Sequence, residues 1–463
     1  MADPIDALIC PASPGHYDEL RGGSSPNVRS SCTPSWQTFL AQVDSPHAQF
    51  PLILEASEWS CIRQGIAQRA ELLERILCDV YGPQTLIREA FIPSALVHGH
   101  SGYLRAMNGV APTGGAHLHI AAFDMARLPN GQWAVLSQRT QAPSGLGCLL
   151  GNRAVTSQQF ANALEALHIH PLIESYRQWL ASLKALSPAG QDAQVVLLTP
   201  GPQHESHREH ADLARDLGIS LVEGNDLLVC DERLYRRTLH GLEPVQVLLN
   251  CLHDAYLDPL ELQADSTLGV AGLLQAVRAG QVLVTNAPGT AFLESPALLG
   301  FLPALSEKLL GSPLKLPSLD TWWCGERAIL PMALSEIART VIHPTYPEQF
   351  SQISFPATLG TTLSPTEREE WMARLTQAPS HHTLQACPPL SQLPVWDDAQ
   401  HVTIPRSVVW RVFALREGAT GWQVLPGGLA RLAPDEAGIA SMQRGGSSAD
   451  VWVRGPSPDT IGV

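Results

Sequence analysis

Imidazoles, thiols, carboxylates and a short supply of lysine define the chemistry open to this sequence. His204, His207 and His210 recur every third residue in HESHREH. On a helix that spacing gathers two or three imidazoles on one side, an arrangement zinc accepts. The segment also opens a helix after a Pro-Gly turn, where polar residues are ordinary, and this is the plainer reading. His117 and His119 alternate along a strand-like run that carries Asp124, and half-buried polar strand positions account for them equally well. Only Lys184, Lys308 and Lys315 among thirty basic residues are lysines, so any step needing an ammonium group has three candidates. The nine cysteines lie far apart with no CxxC pair. Their odd number fits reduced thiols better than a disulfide framework. No GxxxxGK[ST] phosphate loop is present, and Gly145, Gly147 and Gly151 have the wrong spacing for a dinucleotide fingerprint. GxSxG and HExxH are also missing, which removes the common serine-hydrolase and zincin readings.

The elements that must position any site follow from periodicity. Trp59, Ile62, Ile66, Leu72, Leu73 and Ile76 recur at near-helical spacing between Ser57 and Tyr81, predicting an amphipathic helix that opens on a serine cap and ends at Gly82-Pro83. Two apolar runs, AHLHIAAFDMARL and QWAVLSQRT, flank Pro129-Asn130-Gly131, a strong hairpin signal. APSGLGCLLGNR then reads as a loop, followed by a helix over roughly 157–186. Residues 194–236 read as a small α/β unit of strand, helix, strand and hairpin, and GLEPVQVLLNCLH supplies another strand. GVAGLLQAVRAG and ALLGFLPALSEKLLG predict helices. SVVWRVFALREG and TGWQVLPGGLARL predict an antiparallel pair.

Composition narrows the class. With 463 residues, 44% of them hydrophobic and 16% charged, the chain has material for two or three units with a large core. A formal net charge of −14 argues against a nucleic-acid surface. No apolar run reaches the roughly twenty residues of a membrane span. The first twenty residues lack the basic and apolar regions of a secretory leader, which points to a cytoplasmic protein.

Four stretches, residues 81–105, 136–155, 195–227 and 264–305, form a more specific pattern together with LPSLDTWWCGE, PVWDD, VLPGGLARL and SMQRGGSSADVWV. In this order they resemble the circularly permuted ATP-grasp family over about residues 55–455. The resemblance implies an α+β, circularly permuted ATP-grasp fold with an additional small α/β unit like a pre-ATP-grasp domain. It divides the chain into a loosely ordered arm (1–55), an ATP-grasp region (56–455) and a C-terminal tail (456–463). Within the region, a half with a helix and metal-site hairpin (56–190) precedes an α/β and helical unit (191–330) and a lid and hinge half (331–455). Members resemble glutathionylspermidine synthase-like amide ligases, which use ATP and Mg²⁺ to activate a carboxylate as an acyl phosphate for attack by an amine or thiol. Such a site needs hard oxygen ligands for the metal, and cations and backbone N–H groups for the phosphates.

Carried over by residue, the resemblance assigns Asp124 and Asn152 to the metal, and Arg153, Arg411 and Arg431 to catalysis. It assigns Gln385, Gln443, Arg444, Gly445 and Gly446 to the nucleotide. Several positions depart from the pattern. Gln138 stands where LADRTQ has an acid, Gly151 where LENR has one, and Asn250 to Ala255 where RRxDDD brings cations and acids. His343 replaces the lysine or arginine of VIKP or VIRP, the following lid lacks glycines, QEP becomes Gln385-Ala386-Cys387, and Ala449 replaces a lysine. Changes to outer-shell partners alone commonly cost 10- to 100-fold in metal affinity. Two readings follow. One is an amide or peptide ligase with a remodelled site and a small-molecule or peptide substrate. The other is a non-catalytic scaffold that supports a competent relative. Loss of charged ligand positions beside intact core motifs favours the second. Larger relatives continue into a helical domain, so a separately encoded helical partner is a further expectation.

Overall fold

In the computed structural model the described residues are 51–346, 355–397, 402–419, 421–433 and 447–455. The long helix forms as periodicity predicts, over Ala56–Val80, and buries Trp59, Ile62, Ile66, Leu73, Ile76 and Val80. Its cap is Glu55, which makes no side-chain capping bond, rather than the expected serine. The chain segment around Leu316 crosses this helix at Gly65, where an added Cβ would lie 2.6 Å from the Leu316 Cβ. One turn later the buried Arg69 donates from Nε and Nη2 to the Leu316 carbonyl, at 3.1 and 2.7 Å.

The architecture is α+β, built on mixed sheets. Among the described residues the largest sheet has eight strands. Its main path runs Leu52–Leu54, Ser448–Val453, Gly427–Leu432, Val402–Glu417, Ile120–Arg127 and Trp133–Arg139, with Gln392–Asp397 and Gly421–Val424 also paired to Val402–Glu417. The expected arm therefore gives way to structure before residue 55, because Leu52–Leu54 is a buried parallel edge strand opposite Val451–Val453. The predicted hairpin is present, with Gly131 at φ +83° in its turn, a conformation that costs glycine nothing.

A second sheet holds the predicted α/β unit. Leu283–Thr285, Val247–Asn250, Val195–Leu198 and Ser220–Val222 lie side by side and all parallel. Their runs of valine and leucine suit strands covered on both faces. The third sheet is antiparallel, in the order Thr321–Trp323, His382–Ala386, Thr340–Pro344 and Thr358–Leu359. The helix Pro365–Gln377 packs Trp371 and Leu375 into the core beneath it, and starts in a capping box between Ser364 and Glu367. A three-stranded meander, Leu227–Cys230, Arg233–Thr238 and Gly241–Pro244, completes the sheets.

A further local expectation is corrected. The segment read as a loop through Arg153 is helical from Leu146 to Gln159, and the single helix expected over 157–186 is three, Leu146–Gln159, Ala161–Ala166 and Leu172–Leu186. Phe160, with non-helical φ −127° and ψ 37°, separates the first two, and Pro171 caps the third. No helix among the described residues is long and apolar enough to cross a membrane.

Candidate functional site

Sheet register places the central charges. Arg411 stands directly across from Asp124, Ser137 faces Asp124 on the other side, and Arg431 pairs with Val409, two residues along from Arg411 on the same face. Long side chains at such diagonal positions reach one another. Arg411 grips the Asp124 carboxylate with two bonds, Nε to Oδ1 at 2.8 Å and Nη2 to Oδ2 at 3.0 Å. Arg431 adds Nη2 to Oδ1 at 2.6 Å, and the Ser137 hydroxyl donates to Oδ2 at 2.8 Å. Burial would push the Asp124 carboxyl up, but the guanidinium groups of Arg411 and Arg431 outweigh it and hold the acid far below the usual carboxylate range. Burial likewise opposes the charge on Arg411, and Asp124 more than offsets it. For Arg431 burial dominates and lowers the pKa, against the pull of Asp124. Two guanidinium groups surround one carboxylate, and Glu294 and Glu209 also favour the charged form of Arg411.

Arg411 also fixes the loop over this cluster, donating from Nη1 to the Ser144 carbonyl at 3.0 Å. Gly145 then turns the chain at φ +113° into the helix Leu146–Gln159. Its N–H donates to Glu209, from the helix His207–Leu217. A carboxylate suits the positive end of a helix, although burial pushes Glu209 up. Further along, Asn152 faces the cleft and donates to the Ser448 hydroxyl at 3.1 Å.

Arg153 does not join it. Adjacent helical residues diverge by about 100°, so its guanidinium turns inward to Asp450 (Nε to Oδ2, 2.6 Å) and the carbonyls of His170 and Val451, both at 2.9 Å. Asp450 also accepts from Thr156 and Trp452. The residue expected to act in catalysis instead locks the strand Ser448–Val453 to the helix.

The opposite wall comes from the second hairpin strand and the third sheet. Gln138 donates to the Leu293 carbonyl at 2.7 Å. Glu294 accepts the backbone N–H groups of Thr140 and Gln141 and pairs with Arg139 at 3.3 Å. The Asn286 carboxamide clamps both hairpin strands, accepting from His119 and Ile120 N–H and donating to the Ile120 and Thr140 carbonyls. Gln385 donates to the Leu136 carbonyl at 2.9 Å. His343 is neutral near pH 7, since burial, helped by Arg139, lowers it to about 4. These walls bound an open cleft of roughly 1470 Å³ that brings together Asp124, Gln138, Arg139, Asn152, Glu294, His343, Gln385, Arg411 and Arg431. Gln443, Arg444, Gly445 and Gly446 lie outside the described residues.

The sequence reading missed Arg139, Glu209 and Glu294. Arg139 lies within the LSQRTQ stretch and Glu294 within TAFLESP, so both were visible as charged residues inside patterned motifs. Glu209 was masked by the histidines around it. Those histidines gather no metal group: His210 Nδ1 lies 2.9 Å from the Thr199 hydroxyl, and His204 stacks on His210 at 6.3 Å.

Among the described residues, the positions carried over as metal ligands do not present the free carboxylates that magnesium binds. Mg²⁺ requires near-octahedral oxygen ligands and is bound through free carboxylates. Here both Asp124 oxygens are taken by guanidinium groups and a hydroxyl, the neighbouring position is the neutral Gln138, and Asn152, whose Nδ2 donates to Ser448, offers only a neutral carbonyl oxygen.

Comparison with known proteins agrees with this architecture. Residues 51–433 match the family described as circularly permuted ATP-grasp type 2. The uncharacterized protein Rv2567 of Mycobacterium tuberculosis is 35% identical over 408 residues, 87% of this chain and 45% of that protein. The chain thus spans less than half the length of that relative. An uncharacterized Synechocystis protein, sll0335, is 32% identical over 87% of this chain and 83% of its own length. Rv2411c, also uncharacterized and from Mycobacterium tuberculosis, is 32% identical over 96% of this chain and 81% of its own length. Among solved structures, a glutathione synthetase-like effector from Globodera pallida superposes with a TM-score of 0.50 at 12% identity, over 87% of this chain and 89% of that one, a likeness of fold. This chain belongs to the circularly permuted ATP-grasp type 2 family.

Proposed function

We propose that this ATP-grasp ligase-like chain uses its cleft to bind an anionic small molecule or peptide without magnesium, and does not itself complete ATP-dependent carboxylate–amine ligation. The observation that carries the reading is the commitment of Asp124 to Arg411, Arg431 and Ser137. A carboxylate held this way is a structural counter-ion, and releasing it to a metal would strand two buried guanidinium groups. Arg139, Arg208, Arg411 and Arg431 line the cleft beside Asp124, Glu205, Glu209, Asp212 and Glu294, so a carboxylate or phosphate group would be held by directed guanidinium N–H donors rather than by net positive charge. His343, neutral at pH 7, adds no charge toward a polyphosphate.

The test is calorimetric titration of the purified chain with ATP and with pyrophosphate, each in excess Mg²⁺ and in excess EDTA, alongside an assay for ADP release with amine acceptors. Binding that is equal with and without the metal, and no ADP, is the expected result. Affinity that requires Mg²⁺, or ADP formed in proportion to the acceptor, overturns the reading in favour of an active ligase. Absence of any heat with either anion removes the anion-binding part.

A further inference from the structure

A second group of ligand-type side chains lies outside the cleft, where the long helix meets the entry to the first hairpin strand. Glu74 and Cys78 are one helical turn apart on Ala56–Val80, so they share a face. His117 approaches that face from the segment leading into Ile120–Arg127. Glu74 Oε1 lies 3.4 Å from the His117 Nδ1 and 3.4 Å from the Cys78 Sγ, and the Cys78 Sγ lies 3.9 Å from the His117 Nδ1. Among the described residues, no other three His, Cys, Asp or Glu side chains bring ligand atoms within 4.8 Å of one another.

From these distances we infer that Glu74, Cys78 and His117 form a zinc site with one open coordination position. A tetrahedral zinc with its usual bond lengths to sulfur and to nitrogen or oxygen requires ligand separations of about 3.6 Å for each edge to sulfur and about 3.3 Å for nitrogen to oxygen. The triangle matches those edges to within about 0.4 Å, so closure on the ion needs only small side-chain movements. Charge balance also fits: the ion displaces the thiol proton to solvent, and thiolate plus carboxylate then neutralise Zn²⁺ in a mostly buried setting. A thiolate ligand selects a borderline-soft metal over magnesium or calcium.

The surroundings orient the ligands. Glu74 accepts the backbone N–H groups of His117 and Leu118, at 3.0 and 2.8 Å, which fixes its carboxylate against the incoming segment. The His117 ring stacks on Tyr81, with centroids 5.8 Å apart. His119, two residues on and 1% exposed, has an Nδ1 with no hydrogen-bond partner and lies within the field of Glu74 and His117. Glu74 and His117 are buried whereas Cys78 is exposed. The ion therefore enters from the cysteine side, and its fourth position faces solvent.

The test uses the 463-residue chain stripped with a chelator, then titrated with Zn²⁺ alone and, separately, with Co²⁺ as a spectroscopic probe. One equivalent of metal is expected, with a sulfur-to-cobalt charge-transfer band. Cys78→Ser should abolish the band, and His117→Gln should weaken Zn²⁺ binding at least tenfold. Because Cys78 is exposed, Cys78→Ser should unfold like the parent protein in the absence of metal, so its loss of binding cannot be blamed on misfolding. No band in the parent chain, or a band undiminished in Cys78→Ser, overturns the site and leaves a thiol hydrogen-bonded to a carboxylate.

Discussion

Replacing Asp124 with asparagine keeps the shape of the side chain, removes its charge and turns one of its two accepting oxygens into a donor, so it tests what the carboxylate does for its arginines. Asp124, Arg411 and Arg431 have side chains 5%, 8% and 15% exposed. Water therefore compensates the two guanidinium groups only in part once the carboxylate is gone. Breaking a buried ion pair from one side costs about 3–5 kcal/mol. Unfolding entropy of about 2.1 cal/mol/K per residue gives roughly 1 kcal/mol/K for 463 residues. Asp124→Asn should then lower the melting temperature by about 3–5 °C. Arg431→Met leaves the two-bond grip of Arg411 intact and should lose only about 1.5–3 kcal/mol, the worth of a charged hydrogen bond. The assay is thermal and urea unfolding followed by circular dichroism, with and without Mg²⁺. Because the folded-state pKa of Asp124 is depressed, its contribution is full above the unfolded value near pH 4 and is lost only as pH falls far below it. The gap between parent and variant should accordingly be constant from neutrality to about pH 4 and narrow in stronger acid. A variant that melts within about 1 °C of the parent, or Mg²⁺ that stabilises the parent but not the variant, refutes the counter-ion reasoning.

Three further outcomes follow from other parts of the molecule. Gly427→Ala should destabilise the fold by about 1–3 kcal/mol, since a Cβ there would meet Arg153 Nη2 at 2.8 Å and the Val451 carbonyl at 2.9 Å at φ +155°, and urea unfolding reads the loss. Arg153→Met should destabilise more than the double change Arg153→Met with Asp450→Leu, because the single change strands a buried acid; paired unfolding curves decide, and the reverse order is the contrary result. His100 and His210 are both lowered to about 4 chiefly by burial, so the stability they contribute is full above about pH 6.5 and lost as pH falls through about 4. Urea midpoints should fall between pH 6.5 and 4, and His100→Asn, whose Oδ1 can still accept the Gly102 N–H now bound by His100 Nδ1 at 2.9 Å, should flatten part of that slope.

The hairpin bearing Asp124 was legible because two alternating runs and Pro129-Asn130-Gly131 are local signals. Its ion pairs were not. Arg411 lies 287 residues away, and only the sheet register tells a reader that it faces Asp124. Family resemblance transfers positions, so it carried Asp124 over as a metal ligand and Arg411 and Arg431 as catalytic residues, without the ion pairs that join them. Arg153 was drawn into the site with Asn152 because neighbours in sequence look alike until the helix separates them. That helix was itself hidden, since Gly145, Gly147 and Gly151 read as loop residues while the carboxylate supporting its first turn comes from Glu209, on another helix. Leu52–Leu54 is too short for any period to reveal, and takes its identity from the strand at the far end of the chain.

The order of strands in the large sheet bears on synthesis. The hairpin Ile120–Arg139 emerges well before the strand that covers its edge, Val402–Glu417, and the next one, Gly427–Leu432. Leu52–Leu54 waits longer still, for Ser448–Val453. Until then the nascent chain carries an unpaired strand edge and an acid without its arginines, the kind of exposed edge that invites wrong pairing. Ribosome-bound chains halted before residue 402 should therefore hold a cleft with one wall, and the Asp124 cluster closes only once Arg431 has emerged.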